Sequence, residues 1–132
     1  PEKRQQQYRE ETDPWWLISW MNYVIYQGMS RVIKIRKRAF MGDFYAINLF
    51  GMIITYEKLS KEELNHERIH SAQQKELLYI PFYIWYFFEW AILTIKYKNG
   101  LEAYFNIRFE KEAYAHQDDM EYLKKRRHYS YR

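Results

Sequence analysis

Residues 60–77 read SKEELNHERIHSAQQKEL, and this stretch decides the fold around the main candidate site. Ser60 and Glu63 form an S-x-x-E pattern, which is typical of a capping box in the first turn of a helix. Apolar residues then recur at partly helical spacing, at Leu64, Ile69, Ala72 and Leu77. The pattern predicts a helix over residues 61–79.

Within this helix, His66, Glu67 and His70 form the pattern H-E-x-x-H. Side chains four positions apart lie one turn above each other on the same helix face. The two imidazoles can therefore reach one Zn²⁺ ion, and the neighbouring carboxylate of Glu67 can act on a water that the ion holds. The pattern predicts a hydrolase, and we expect a peptide bond as its target.

A catalytic zinc site usually has three protein ligands and an open position. The chain has 4 His, and the two outside the motif are His116 and His128. The chain also has no Cys, which excludes disulfides, thiolate ligands and a Cys nucleophile. The position that supplies a third His in extended versions of the motif holds Glu76. The third ligand is therefore expected to be a carboxylate from a later helix.

Glu110 is the first candidate for this ligand. Ala113 lies one turn further along the same predicted helix, and its small side chain would let that helix approach the motif helix closely. Glu112 lies two positions away on a different helix face and is the second candidate. Without the H-E-x-x-H pattern elsewhere in the chain, we would interpret both residues as ordinary surface carboxylates of a helix.

The whole chain is predicted to form a single α+β domain over residues 1–132 that is mostly helical. Alternating apolar residues indicate strands, which would form a small antiparallel sheet beside the motif helix. The remaining expectations are a loose start over 1–13, a helix over 15–26, strands over 31–37 and 45–56 (divided at Gly51), a turn at Gly42-Asp43 and a last helix over 101–125.

Residues 77–95 read LLYIPFYIWYFFEWAILTI, with Glu89 as the one formal charge. The length approaches that of a membrane span, but the segment lacks a Leu-rich centre and Pro81 should bend the helix or start a new one. Aromatic residues make up 20% of the chain, a composition found at protein interfaces and membrane boundaries. Contact with a membrane and burial in a folded domain are equally compatible with this aromatic-rich helix.

The net charge of +4 includes two basic clusters, Arg31 to Arg38 and Lys124 to Arg127. Both clusters are compatible with solvent-exposed edges of the domain or with attraction to anionic lipid headgroups. No motif supports nucleic-acid binding. A cytoplasmic or membrane-associated location is favoured. A domain this small has little room for a deep substrate cleft. Completion of the cleft by a homo-oligomer or by a partner subunit therefore remains open.

The run from His66 to Gln74 resembles the H-E-x-x-H-x-x-Q-Q signature of a bacterial zincin family, and the run from Glu110 to Ala113 resembles the E-x-x-A element of gluzincin-type zinc metallopeptidases. The resemblance covers roughly residues 45–120. It implies a minimal zincin-like domain in which His66, His70 and Glu110 hold Zn²⁺ and Glu67 is the general base. It also implies a strand before the motif helix whose edge pairs with a peptide or protein substrate.

The gluzincin element continues with an Asp that orients a ligand His, and this chain has Tyr114 there. Either the Tyr114 hydroxyl or Asp118 would have to take over that contact. Tyr114 is also an expected catalytic residue, as a donor to the oxyanion of the tetrahedral intermediate, with His116 and Tyr56 as alternatives. The remaining candidates for support around the ligands are Gln73, Gln74, Glu112 and His116.

Two other interpretations remain open at the level of sequence. If His116 closes the coordination as a fourth protein ligand, the site is a structural zinc site in a non-catalytic module. If the motif is coincidental, the chain is an interaction module that works at a membrane interface through its aromatic surface.

Overall fold

The computed structural model describes residues 31–34, 46–55 and 57–132. The expectations for 1–13, for 15–26, for Gly42-Asp43 and for Tyr56 lie outside these residues. The elements, in chain order, are β1 (Arg31–Lys34), β2 (Ala46–Leu49), β3 (Met52–Thr55), α1 (Lys61–Glu76), α2 (Ile80–Tyr97), α3 (Gly100–Asn106), α4 (Arg108–His116) and α5 (Tyr122–Lys125). The α+β, mostly helical fold class is confirmed.

The three strands form one sheet in the order β1-β3-β2. The division at Gly51 is confirmed, since Phe50 and Gly51 have φ of 52° and 78° and form a two-residue turn between β2 and β3. This turn makes β2 and β3 antiparallel, but β1 pairs in parallel with the other edge of β3. The expectation of a wholly antiparallel sheet is therefore wrong, and the sheet is mixed. The alternating pattern of β1 predicts a strand but does not determine which edge it pairs with or in which direction, because that pairing is a contact between distant segments.

Helix α1 begins as predicted. The Ser60 hydroxyl accepts a hydrogen bond from the backbone of Glu63, and the Glu63 carboxylate accepts one from the backbone of Ser60. The helix ends at Glu76, earlier than predicted, because Leu78 and Tyr79 adopt left-handed φ angles of 56° and 67°. A left-handed backbone cannot continue a right-handed helix, so the chain turns sharply here.

Helix α2 contains most of the aromatic-rich segment and has Pro81 in its first turn, where the missing N–H costs no helical hydrogen bond. Pro81 therefore starts a new helix, as expected. Among the described residues no single helix has the length and apolar content to cross a membrane, although α1 and α2, bent by 112°, meet that test as a pair.

The last predicted helix is broken into α3, α4 and α5. Asn99 caps α3 by accepting hydrogen bonds from the backbone of Leu101 and Glu102. Ile107 separates α3 from α4 with an extended backbone (φ −61°, ψ 133°), and its side chain is fully buried. The prediction of one continuous helix over 101–125 is wrong because burying Ile107 turns the chain between α3 and α4.

Two small apolar clusters form the core. One lies between α1 and α4 and includes Ile69, Ala72, Ala113, Tyr122 and Leu123. The other brings Phe82 of α2 against Ile107, Phe109 and Tyr131. Burying a large apolar side chain contributes roughly 1.5–3 kcal/mol, so each cluster stabilises the described part of the fold by several times RT. The first cluster fixes the distance between α1 and α4, the two helices of the candidate site.

Candidate metal centre

Helix α1 carries His66 and His70 on its buried face. Their spacing of four residues brings the two rings together edge to face, with centroids 4.7 Å apart, and the distance from His66 Nε2 to His70 Nε2 is 3.0 Å. The side chains face away from solvent, with only 7% and 6% of the two residues exposed. The motif therefore forms the pair of convergent nitrogens that its spacing predicts.

Helix α4 brings Glu110 to these nitrogens. Ala72 and Ala113 pack in the same core cluster, and their small side chains allow the two helices to approach closely. Glu110 Oε2 lies 3.3 Å from His66 Nε2, and Glu110 Oε1 lies 3.3 Å from His70 Nε2. Within the described part of the chain, His66, His70 and Glu110 form the one cluster that could hold a metal ion.

The candidate ligand atoms are close enough together to share one metal ion. Bonds of about 2.0–2.1 Å from zinc to nitrogen and oxygen give a tetrahedron with edges of about 3.3–3.4 Å. The two Nε2 atoms are 3.0 Å apart, and each lies 3.3 Å from a different carboxylate oxygen of Glu110. Oε2 of Glu110 is also buried without a well-directed hydrogen bond. Three ligands leave a fourth position open, which is the pattern of catalytic sites.

Two glutamines set the direction of the imidazoles. Gln73 Nε2 donates to the backbone oxygen of Phe109 and to the carboxylate of Glu112, so its amide oxygen must face His70. His70 Nδ1 therefore donates to Gln73 Oε1 at 2.8 Å. Gln117 Oε1 accepts from His66 Nδ1 at 3.2 Å. With Nδ1 as the donor in both rings, both Nε2 atoms point into the candidate site.

Glu112 supports the site but lies outside the ligand cluster. Its carboxylate accepts hydrogen bonds from Gln73, from the Tyr122 hydroxyl and from Arg126, which also pairs with Glu76 at the end of α1. This ion pair network is almost fully buried. Glu112 was the second candidate for the metal ligand, but it is not part of the ligand cluster. It is paired with Arg126 and holds the side-chain amide of Gln73 in place.

Charge interactions inside the cluster are strong. Burial raises the pKa of the Glu110 carboxyl, but the charge of His70 and hydrogen bonds from His70 and Tyr86 outweigh burial and lower the pKa well below its usual range. Burial lowers the pKa of His70, but the adjacent Glu110 raises it to about 9. Without a metal ion, a proton on His70 therefore occupies the space between the ligand atoms.

Glu67 lies on α1 next to His66, and it lines a cavity of about 800 Å³ together with His70 and Glu110. Burial raises the pKa of its carboxyl, although His70 and His66 act in the opposite direction. Its backbone oxygen accepts a hydrogen bond of 2.6 Å from Asn48 of β2, which fixes the strand against the helix. The candidate base therefore shares a wall with the ligands and lies beside the sheet.

Tyr114, His116 and Gln74 occupy three different environments. The ring of Tyr114 lies 4.5 Å from that of His66, and its hydroxyl shares a hydrogen bond with Tyr104. The ring of His116 stacks on Tyr122 at 3.8 Å, so His116 is not part of the ligand cluster. Gln74 bonds the backbone of Asn48 and Gly51, which ties the hairpin to α1 and not to the metal ligands.

Sequence analysis missed Gln117, Tyr86 and Tyr104. The Tyr86 hydroxyl donates to Glu110 Oε1 at 2.7 Å, and burial followed by the charge of Glu110 raises its pKa, so it remains a donor. No local pattern separates Tyr86 from the other aromatic residues of α2. Gln117 takes the contact with a ligand His that Tyr114 or Asp118 was expected to make, and its position just after α4 was the available signal.

The cavity extends from the metal centre between β2 and the helices α2 and α3. β2 is an edge strand of the described sheet, and all four of its residues line the cavity. An extended chain lying along this edge would pass directly beside Glu67 and the ligand atoms.

Comparisons with known proteins identify no relative of this chain. No protein-family model matches the chain, and no curated protein or solved structure matches it. The chemical interpretation therefore depends on the geometry of His66, Glu67, His70 and Glu110.

Proposed function

We propose that this chain is a zinc-dependent metallopeptidase of the gluzincin type. The observation that supports this proposal most strongly is the close convergence of the two imidazole Nε2 atoms and the Glu110 carboxylate, with Glu67 lining the same cavity as His70 and Glu110. A bound Zn²⁺ would supply Lewis acidity and lower the pKa of a coordinated water toward neutrality.

The protein groups have distinct roles in this proposal. Glu67 takes the proton from the attacking water and passes it to the leaving amine, and its raised pKa brings it closer to the pH at which such a shuttle works best. Tyr114 is the proposed oxyanion donor. A hydrogen bond joins its hydroxyl to that of Tyr104, and burial raises the pKa of both groups, so Tyr114 keeps its proton at neutral pH.

The edge of β2 is the proposed binding surface for the substrate backbone. An extended peptide can add to an exposed sheet edge through main-chain hydrogen bonds. The Asn48 side chain holds this strand against α1 by donating to Glu67 O and to the Ser71 hydroxyl. A substrate on β2 would therefore be held at a constant distance from the metal centre.

Metal analysis of the purified chain tests the proposal first. We expect about one zinc per chain, and we expect Glu110→Ala to lose it because only two ligands remain. A peptide library is then incubated with the zinc-loaded protein. Cleavage that disappears in Glu67→Gln while zinc is retained would support the peptidase, whereas no zinc after reconstitution would exclude the metal site and the enzyme with it.

The structural-zinc alternative required His116 as a closing ligand. Its ring is stacked on Tyr122, so the described residues offer three ligands and not four. This geometry favours the catalytic interpretation. Zinc binding without cleavage of any peptide in the library would favour a non-catalytic zinc module instead.

Membrane-interface binding is a second candidate function, and the outer face of α2 favours it. This face, defined by Ile80, Ile84, Phe87, Phe88, Ile92 and Ile95, is more than half exposed at every position. Its opposite face packs on the core through Phe82, so the helix is apolar all round, which is typical of helices in membranes or large cores. Lys96 and Lys98 follow the face and suit anionic headgroups.

Co-sedimentation with lipid vesicles tests this second candidate. We expect binding to vesicles that contain anionic lipid, and we expect Ile84→Asp with Ile95→Asp to abolish it, because both changes place charge in the apolar face. Met120→Asp is the control, since Met120 is also exposed but lies between α4 and α5. Equal binding by all three proteins would reject the outer face of α2 as the lipid contact.

A further inference from the structure

The cavity beside the metal centre is lined mainly by apolar and aromatic side chains. Its wall opposite β2 is formed by side chains of α2 and α3, namely Phe82, Tyr83, Tyr86, Trp90, Leu101 and Tyr104. The only charged or ionisable side chains in the lining besides tyrosines are Glu67, His70 and Glu110, the groups of the metal centre. No Lys or Arg of the described residues lines it.

Several contacts hold this aromatic wall in place. Trp90 Nε1 donates to the backbone oxygen of Gly100, which fixes α2 against the start of α3. The Tyr83 hydroxyl accepts from the backbone of Phe50 at 2.8 Å and so closes the hairpin onto α2. Tyr86 is bonded to Glu110. The wall is therefore preformed, which lowers the entropic cost of binding a side chain against it.

The size of the cavity also exceeds what the reacting groups require. At about 800 Å³ it lies within the range of about 300–1,000 Å³ that is usual for ligand pockets. A peptide held along β2 would direct alternate side chains toward α1 and the aromatic wall. An acidic side chain against the aromatic wall would find no Lys or Arg of the described residues to pair with and would meet the carboxylate of Glu67, and a small one would leave the aromatic surface uncovered.

We propose that this cavity is a specificity subsite for a large apolar side chain, aromatic or branched aliphatic, at a residue next to the scissile bond. This inference rests on the proposed peptidase function and names its substrate class. Leu101 lies at the opening of the subsite, since it lines the cavity and is 63% exposed. A side chain entering the cavity must pass it.

The test compares the zinc-loaded full chain with Leu101→Arg and with the control Leu78→Arg. Leu78 is 79% exposed and does not line the cavity, so both variants change an exposed Leu to Arg but only one alters the subsite. The substrates are matched peptides that differ at one position beside the cleaved bond, with Phe, Ala or Asp. We expect Phe to be preferred over Ala by roughly 10–200-fold in kcat/KM.

Leu101→Arg should reduce the preference for Phe over Asp at least tenfold, because its guanidinium can pair with the Asp carboxylate at the opening. Leu78→Arg should leave the preference unchanged. Cleavage with equal rates for Phe, Ala and Asp would overturn the subsite but leave the peptidase intact, and so would identical preferences in Leu101→Arg and the original chain.

A binding measurement separates the two proposals if no peptide is cleaved. The same peptides are titrated onto zinc-loaded Glu67→Gln, with Trp fluorescence as the readout. Tighter binding of the Phe peptide that Leu101→Arg weakens and Leu78→Arg does not would support the apolar subsite, even though the peptidase function had failed. Binding of no peptide, or equal binding of all three, would overturn the subsite.

Discussion

At the residue scale, the candidate site depends on how each ligand side chain is oriented. Gln73 accepts a hydrogen bond from His70 Nδ1, and Gln117 accepts one from His66 Nδ1, so both Nε2 atoms are directed at Glu110. Neighbouring groups of this kind commonly change metal affinity by about 10–100-fold. Gln73 is itself held by Glu112, which Arg126 and Tyr122 fix in turn.

Replacing Gln73 by Leu should weaken zinc binding roughly 10–100-fold, because His70 loses the acceptor that sets its tautomer. Gln74→Leu is a closely matched control. Gln74 is the next residue, it is almost equally buried (1% against 0% exposed), and it bonds the hairpin backbone and not a ligand His. Zinc affinity is measured by competition with a chromophoric chelator. Similar losses in the two variants would argue against orientation of His70 by Gln73.

Zinc binding should strengthen as the pH rises. Burial lowers the pKa of His70, but Glu110 raises it to about 9, so the metal-free protein is protonated at His70 throughout the neutral range. A metal ion needs the neutral imidazole and must displace that proton. Below pH 9 the zinc affinity should therefore increase at least tenfold per pH unit, and the increase should become less steep above pH 9, where His70 is already neutral.

Calorimetry in buffers of different ionisation enthalpy measures this exchange directly. At least one proton should be released per zinc bound at pH 7 to 8 on account of His70, and ionisation of a zinc-bound water would add to this number. An affinity that is constant between pH 7 and 9, with no proton released, would contradict a protonated His70 in the metal-free site.

At the scale of elements, the site is formed where α1 and α4 cross. Ala72 and Ala113 are both fully buried in the cluster between these helices. The close approach that they allow brings Glu110 within 3.3 Å of both imidazoles. The extended backbone at Ile107 is equally necessary, because it gives α4 a direction independent of α3.

Ala113→Leu should therefore damage the fold and the site together. Overpacking a close-packed contact costs roughly 1–3 kcal/mol, and moving α4 away from α1 would separate Glu110 from the imidazoles. Ala115→Leu changes an exposed position on the same helix and serves as the control. Urea unfolding and zinc titration provide the two readouts. Unchanged zinc affinity in Ala113→Leu would indicate that α4 can shift without opening the site.

At the scale of the whole molecule, distant parts of the chain meet on α1. Asn48 of β2 bonds Glu67 and Ser71, while Arg126 near the end of the chain lies between Glu76 and Glu112. Tyr131 returns to the cluster with Phe82. A metal ion held by His66, His70 and Glu110 would add a further link between α1 and α4. Bound metal should therefore stabilise the folded domain as a whole.

Zinc should raise the free energy of unfolding by about 2.7 kcal/mol when free zinc is at 100 times its dissociation constant. Thermal unfolding with added zinc and with a chelator measures this difference. Glu110→Gln should show a much smaller zinc-dependent shift, because the third ligand loses its negative charge. A shift of equal size in Glu110→Gln would mean that zinc stabilises the domain from another location.

Much of the site was predictable because its signals are local. The capping box over Ser60 and Glu63 starts α1, and the spacing of His66 and His70 puts both rings on one face whatever surrounds them. Glu110 was predictable by elimination and from the small residue one turn later. Gln117 and Tyr86 were not, since each reaches the site across a helix packing that no local pattern encodes.

The sequence by itself determined the mostly helical α+β class, the position of His66 and His70 on one helix face, the division of the strand segment at Gly51 and the interruption of the helix at Pro81, because each follows from backbone preferences or periodicity over a few residues. Tertiary structure alone decided the parallel pairing of β1, the break at Ile107, the role of Glu112 as the partner of Arg126 and the aromatic cavity beside Glu67. These features depend on which buried groups can be packed or paired at once, and that is settled only when distant segments meet.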